Sequence, residues 1–229
     1  MRFFDVILSG FEFLPDTKIS GMGTDGFTVY FYPDYLIGLY QRTPVQVNRA
    51  YLHMIFHCLF GHLKQPDHAE EQYWNLACDI VVESIIDELN EHSVRKYVPP
   101  YRKGVYQKLR EKMEVLTPKG VYWELLGMHL EEEQFGKMQE EFFVDDHVLW
   151  NENVSPEKCI EREKKWKEQN EKLQTEMETF SKEASENAEN ILNQVQIENR
   201  NRYDYRKFLE KFAILKEEMQ VDQHSFDYI

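Results

Sequence analysis

The sequence of 229 residues is poor in cysteine, in positive charge and in long apolar runs, and each scarcity excludes a class of protein. Its three cysteines include no CxxC spacing, which argues against a cysteine-ligated zinc site and favours free thiols in the reducing cytoplasm. No apolar run approaches the roughly 20 residues that cross a bilayer. Lysine and arginine number 27 against 41 aspartates and glutamates, a net charge of -14, so nucleic acid and anionic membranes are disfavoured as partners.

The sequence also lacks the short motifs of several enzyme classes. It has no glycine-rich phosphate loop and no Gly-x-Ser-x-Gly elbow, and its cysteines lack the electropositive surroundings that activate a nucleophile. Apolar residues are plentiful, since 42% of the chain is hydrophobic and 14% is aromatic. A chain of this length and composition can bury the core of one good-sized domain.

The pattern of apolar residues predicts an α+β, mostly helical fold with a small sheet. We expect a short amphipathic helix over residues 1–14 and a strand over residues 27–32, which is rich in β-formers. The clearest helix start is Thr43-Pro44, which predicts a central helix from about Pro44 to Leu59 or Phe60. Further helices are expected over residues 70–90, 105–116 and 118–130.

The composition changes after residue 150. We expect residues 1–150 to form a core and residues 151–200 to be a charged helical excursion of one or two long, largely exposed polar helices. Residues 201–229 are expected to be a C-terminal helix that closes the domain or leads to a further one. The excursion lacks a sustained heptad, which disfavours a dimeric coiled coil.

Two histidines one helical turn apart stand inside the apolar segment LHMIFHCLFGHLK, residues 52–64. His53 and His57 project from one face of the expected helix, so both imidazoles can reach a single metal ion. The alternative is a pair of structural core histidines. His62 lies about 180° round the helix from His53, at ~100° per residue. We therefore expect a capping or surface histidine there, unless the chain turns back at Gly61.

The helix that follows offers a carboxylate in apolar surroundings. Asp79 belongs to a stripe at four-residue spacing with Asn75 and Glu83, and its nearest neighbours in sequence are apolar. Because an unpaired buried carboxylate is costly, Asp79 should face a metal, a histidine or an arginine. The alternative is a solvated stripe on an amphipathic helix.

The segment RAYLHMIFHCLFGHLKQPDHAEEQYWNLACDIVVE, residues 49–83, resembles a bacterial zincin-like metallopeptidase domain. That domain usually precedes a von Willebrand factor A-like domain, often near MoxR-type AAA+ ATPases. Its members carry a His-Glu-x-x-His helix, a further histidine downstream, and a Trp-Asn-x-Ala-x-Asp segment, which matches WNLACD here. The likeness covers most of residues 20–130, with short islands at 144–150 and 203–229.

The resemblance implies a zincin-like core in which His53, His57 and Asp79 bind Zn2+. It makes His147 a further candidate ligand or proton donor, although His147 is equally explained as a loop histidine held by its neighbouring aspartates. It also implies a following von Willebrand factor A-like domain and an AAA+ ATPase as partners. The alternative function is therefore a non-catalytic protein-interaction module that works with such an ATPase.

The sequence departs from the family pattern at Met54, where the helix normally carries glutamate. That glutamate acts as the general base of the peptidase, and methionine has no basic group to replace it. Loss of a general base typically costs ~10²–10⁴-fold in rate. Glu83 and Asp146 are the candidate substitutes. The resulting expectation is a metallopeptidase-like, zinc-binding protein with weak or no peptidase activity.

Overall fold

The structure is a computed structural model that describes residues 10–89, 91–150, 155–180, 191, 193 and 195–197. Its strands are β1 (Glu12–Pro15), β2 (Met22–Thr24) and β3 (Thr28–Phe31). Its helices are α1 (Pro33–Arg42), α2 (Pro44–Leu59), α3 (Glu71–Glu88), α4 (Pro100–Arg110), α5 (Pro118–Gly127), α6 (Glu132–Phe142) and α7 (Pro156–Phe180), with a 3-10 helix (His147–Trp150) between α6 and α7. This confirms a mostly helical α+β architecture with a small sheet. No helix among these residues is long and apolar enough to cross a membrane.

The sheet places β3 between its two neighbours, parallel to β1 and antiparallel to β2. The turn between β2 and β3 is built by side chains: the Asp25 carboxylate accepts the amides of Phe27 and Thr28, each at 2.8 Å. Gly26 in this turn has φ +91°, a conformation that side chains other than glycine rarely adopt. The strand predicted over residues 27–32 is therefore confirmed as β3.

The predicted amphipathic helix over residues 1–14 is wrong where the structure describes it. Residues 1–9 lie outside the described part of the chain, and Glu12–Pro15 forms the edge strand β1. The amide of Glu12 donates to the carbonyl of Phe27 at 3.0 Å, in line with the parallel ladder to β3. A short apolar run fits a strand as well as a helix, and here the pairing with β3 decides between them.

Helix α2 forms as its cap predicts. The Thr43 hydroxyl accepts the amide of Gln46 at 3.3 Å, and Pro44 occupies the first turn. The helix ends at Leu59, because Gly61 adopts φ +70° and turns the chain back. The amide of His62 then bonds to the carbonyl of His57 at 2.9 Å.

Helix α3 is the buried centre of the domain, as its run of buried residues from Leu76 to Ile86 shows. It packs against α2 on one side and against α5 and α6 on others. Histidines of α2 therefore meet acidic residues of α3 inside the protein, away from bulk water.

One helix differs from its predicted bounds, and another was not predicted. The helix expected over residues 105–116 begins earlier, at Pro100, because a proline is well suited to the first turn of a helix. The charged segment after residue 130 forms α6, which begins with a capping box between Glu131 and Gln134.

Helix α7 lies within the predicted charged excursion, of which residues 191, 193 and 195–197 are also described. One face of it is buried against the core, including Arg162, Trp166, Asn170 and Leu173. The other face carries the exposed glutamates and lysines. The C-terminal helix predicted over residues 201–229 lies outside the described residues.

Candidate metal centre

Five side chains from three parts of the chain converge at one point beside α2. His53 and His57 come from α2, Asp79 comes from α3, and Asp145 and His147 come from the segment that leads into the 3-10 helix. Each offers one donor atom, and these five atoms lie within 4.8 Å of one another. Three nitrogens and two oxygens therefore face a common centre.

The spacing of the donor atoms suits ligands that share an ion. Oδ1 of Asp79 lies 3.3 Å from His53 Nε2, 3.2 Å from His57 Nε2 and 3.2 Å from His147 Nε2. Oδ1 of Asp145 lies 3.4 Å from His53 Nε2 and 3.3 Å from His147 Nε2. Ligands about 2.0–2.2 Å from one ion are separated by roughly 2.9–3.5 Å, depending on the coordination number.

The two helical histidines approach even more closely. His53 Nε2 and His57 Nε2 are 2.7 Å apart, too close for two bare lone pairs. Either one nitrogen carries a proton and donates it to the other, or a cation lies beside both. The pair is therefore a place where a proton and a metal ion compete.

Asp145 and His147, on the other side of the site, are buried side chains. The Asp145 side chain is 0% exposed, and that of His147 is 8% exposed. No hydrogen bond of ordinary geometry from the described residues reaches either carboxylate oxygen of Asp145 or Nε2 of His147. A buried carboxylate is costly unless a positive charge lies beside it, and a metal ion at the common point would supply that charge to Asp145 and bind Nε2 of His147. These residues fit a metal ion.

The sheet holds the Asp145–His147 segment in place through its backbone. The amide of Asp146 donates to the carbonyl of Met22 at 2.8 Å, and Gly23 forms an isolated bridge with Asp146. A Cβ at Gly23 would lie 2.4 Å from the Asp146 carbonyl oxygen, so only glycine permits this approach. The carboxylate of Asp146 accepts the amide of Val148 at 3.0 Å, at the start of the 3-10 helix. Asp146, a predicted substitute base, is thus engaged outside the cluster, and its neighbour Asp145 joins the donors.

Glu83, the other predicted substitute base, lies behind His53. Its Oε1 lies 2.9 Å from His53 Nδ1, the ring nitrogen that faces away from the cluster. Its Oε2 pairs with the buried guanidinium groups of Arg49, at 2.7 Å, and of Arg102. Burial acts to raise the pKa of Glu83, but the hydrogen bond from His53 and the charges of the two arginines hold that pKa well below its usual range. Glu83 is an anion that fixes the ring of His53.

His62 supports His57 in the same way. The Nδ1 atoms of the two rings are 3.0 Å apart, and both rings are buried. The expectation of a capping or surface histidine is wrong, because the chain turns back at Gly61 and brings His62 behind α2. His62 does not belong to the five convergent donors.

An aromatic side chain braces the third imidazole. The ring of Trp150 stacks on that of His147, with centroids 3.7 Å apart and an interplanar angle of 21°. It also lies 4.8 Å from the ring of His57. Trp150 therefore sets the relative position of histidines from two different segments.

The protonation of the metal-free site follows from its carboxylates. Burial acts to lower the pKa of His53, but its hydrogen bonds to Asp79 and Glu83 outweigh burial and raise it to about 9. For His147 burial is likewise opposed by the charges of Asp79 and Asp145, which raise its pKa to about 10. Burial and the charge of His53 hold the pKa of His57 well below its ordinary value. The carboxylates therefore favour the protonated forms of His53 and His147, whereas His57 favours its neutral form.

The structure brings together all four predicted metal ligands: His53, His57, Asp79 and His147. Asp145, the fifth convergent donor, was not predicted, because sequence spacing alone does not tell which of two adjacent aspartates turns inward. Met54, which follows the first histidine, is fully buried in the core.

Comparison of the chain with family models, with curated proteins and with solved structures finds no match. The resemblance to zincin-like metallopeptidase domains therefore remains a prediction that rests on the quoted residues.

Proposed function

We propose that the protein binds one divalent metal ion, Zn2+, in a zincin-like core and has weak or no peptidase activity. The ligands are His53, His57, Asp79, Asp145 and His147. The observation that carries the proposal is the buried set of nitrogen and oxygen donors that face one point, where the Asp145 carboxylate and Nε2 of His147 form no hydrogen bond of ordinary geometry with the described residues. Imidazole and carboxylate are ordinary zinc ligands.

The contacts that His53 and His57 make through Nδ1 support metal binding. The Glu83 carboxylate accepts a hydrogen bond from Nδ1 of His53, and Nδ1 of His62 lies at hydrogen-bonding distance from Nδ1 of His57. A proton held at Nδ1 leaves Nε2 free to bind a metal. Both helical histidines are thus oriented with Nε2 toward the common centre.

Three features argue against hydrolysis. Catalytic zinc sites keep three protein ligands and an open position for water, whereas five protein donors converge here. Met54 cannot act as a general base, and it lies within the hydrophobic core. Glu83 is neutralised by Arg49 and Arg102, so it is poorly placed and poorly basic for that work.

Metal analysis tests the binding proposal. Protein purified without chelator should contain about one Zn2+ per chain, and the double variant His53→Ala/His57→Ala should contain none. Asp145→Asn tests the ligand that the sequence did not reveal, and should lower the affinity. His92→Ala is the matched control, because His92 is exposed and lies outside the cluster. A metal-free wild-type protein would leave the histidines a purely structural role and overturn the proposal.

Peptide hydrolysis is measured separately. The wild-type protein should cleave an unstructured substrate such as casein weakly or not at all. Cleavage that disappears in the double histidine variant would show a working peptidase and would overturn this half of the proposal. Met54→Glu restores the missing carboxylate, and we expect it to raise cleavage only if the new carboxylate reaches the metal centre.

The alternative function is a protein-interaction module for an AAA+ ATPase, with a von Willebrand factor A-like domain as a second partner. Two large apolar side chains favour it because they are exposed to solvent: Trp123 is 61% and Phe143 is 62% exposed. Binding to a purified MoxR-type ATPase should weaken in Trp123→Ser and Phe143→Ser, while metal content stays unchanged. Equal binding by these variants and by wild type would exclude these two side chains as the contact.

The proposed location is the cytoplasm. Cys58, Cys78 and Cys159 are all free thiols, and the first two are buried. Free thiols of this kind persist in a reducing compartment.

A further inference from the structure

Helix α7 faces the core with a row of hydrogen-bond donors. Arg162, Trp166 and Asn170 follow one another at four-residue intervals and are all buried. Trp166 Nε1 donates to the carbonyl of Gly26 at 2.7 Å, and Asn170 Nδ2 donates to the carbonyl of Leu59 at 2.8 Å. The acceptors are backbone carbonyls of the turn between β2 and β3 and of the last residue of α2. The helix is therefore tied by hydrogen bonds to the β2–β3 turn and to the end of α2.

Arg162 is the most connected member of this row. Its guanidinium donates from Nη1 to the carbonyls of Asp25 and Trp150, each at 3.1 Å, and from Nη2 to the carbonyl of Leu63 at 3.3 Å. Arg162 is 6% exposed, and within the described ranges no carboxylate forms an ion pair with it. A buried cation whose partners are three carbonyls holds three loops at once.

One of those loops carries a metal ligand. Trp150 ends the 3-10 helix that begins with His147, and its ring stacks on the ring of His147. The hydrogen bond from Arg162 thus fixes the backbone of Trp150, and the Trp150 ring fixes the imidazole. The ring of Trp150 also contacts the ring of His57.

We propose that Arg162 of helix α7 is a positioning residue that holds His147 in the metal centre through Trp150. This inference rests on the proposed function, because it concerns the same centre. Since two linked equilibria affect each other equally, docking of α7 should strengthen metal binding, and bound metal should in turn stabilise the docked helix.

The first experiment measures Co2+ binding, because the visible spectrum of this ion reports its coordination number and ligands. Arg162→Gln removes the cation and most of its donors, and should lower Co2+ affinity by about 10–100-fold, the usual effect of losing a supporting contact around a metal ligand. Its spectrum should match that of His147→Ala. Lys164→Gln is the matched control, because Lys164 lies on the exposed face of the same helix.

A double-variant cycle separates positioning from general destabilisation. If Arg162 acts through His147, the combined variant Arg162→Gln/His147→Ala should bind Co2+ as weakly as His147→Ala alone. Additive losses, or a folded Arg162→Gln protein with the wild-type affinity and spectrum, would refute the inference.

Hydrogen exchange of the wild-type protein gives a test that needs no variant. Removal of the metal with a chelator should increase amide exchange in α7 as well as in residues 145–150. Unchanged exchange in α7 would refute the coupling, even if Arg162→Gln does not fold. A wild-type protein that binds neither Zn2+ nor Co2+ would instead refute the proposed function itself.

Discussion

If the site binds a metal as proposed, its affinity should rise steeply with pH, because two of the five candidate donors, His53 and His147, favour their protonated forms in the metal-free site. The pKa of His53 is raised to about 9, against burial, by hydrogen bonds to Asp79 and Glu83. The pKa of His147 is raised to about 10, also against burial, by the charges of Asp79 and Asp145. Both exceed the ordinary histidine value of about 6.5. A metal ion that binds the two Nε2 atoms must displace both protons.

The number of displaced protons sets the size of the effect. With about two protons released per ion, Kd should fall roughly 100-fold for each unit of pH between about 7 and 8.5. That change equals about 2.7 kcal/mol per pH unit, since one pKa unit corresponds to 1.36 kcal/mol. His57 adds nothing to the slope, because burial and the charge of His53 hold its pKa well below neutral.

Isothermal titration calorimetry measures this directly. Zn2+ is titrated into metal-free protein at pH 7 in buffers with different heats of ionisation, and the dependence of the observed heat on the buffer gives the protons released. Competition with a chelator at several pH values gives the slope of Kd independently. A proton count near zero, with Kd independent of pH, would show that His53 and His147 are neutral before metal arrives and that the electrostatic argument fails.

Further predictions concern stability and the supports of the site. In chelator, thermal stability should decline as pH rises from about 6.5 toward 9–10, because the raised pKa values of His53 and His147 stabilise the fold only while those rings stay protonated; differential scanning fluorimetry checks this, and a flat profile contradicts it. Gly23→Ala should weaken metal binding at least tenfold, since its Cβ would displace the Asp146 carbonyl and the attached ligands. Gly38→Ala, in α1 with open space around it, is the control and should leave binding unchanged; equal binding by both variants would refute the role of Gly23. Glu83→Gln should lower the free energy of unfolding by about 1.5–3 kcal/mol, because Arg49 and Arg102 lose one buried carboxylate and keep only their other partner, Asp87, in common; chemical denaturation checks this, and a loss under about 1 kcal/mol would contradict it.

Much of the fold could be predicted because its signals are local. Thr43, Pro44 and Gln46 define the start of α2 within four residues, and the apolar run that follows defines its burial. The strand β1 could not be predicted, because its partner β3 lies farther along the chain and its own pattern fits a helix equally well. Rules based on the local sequence do not predict which strands pair.

The candidate metal site shows the same difference between local and long-range signals. His53 and His57 share one helix, so their spacing alone places them side by side. The inward position of the Asp145 side chain depends on the path of a short segment. The backbone contact between Asp146 and Gly23, more than a hundred residues earlier, decides that path. The inward turn of His62 likewise depends on φ +70° at Gly61, a conformation that a sequence permits but does not require.

A metal ion bound by the five candidate donors would stabilise the fold, a role that needs no general base. The five donors join helix α2, helix α3 and the 145–150 segment, which α7 in turn holds through Arg162. A ligand present at about 1,000 times its Kd stabilises the folded state by about 4.1 kcal/mol. Folded domains are stable by only about 5–15 kcal/mol, so one bound ion would supply a large share of that margin. At position 54, a methionine adds apolar contacts to the same core, where an unpaired carboxylate would cost free energy. The arrangement therefore favours an ion that holds the protein together over an ion that activates water.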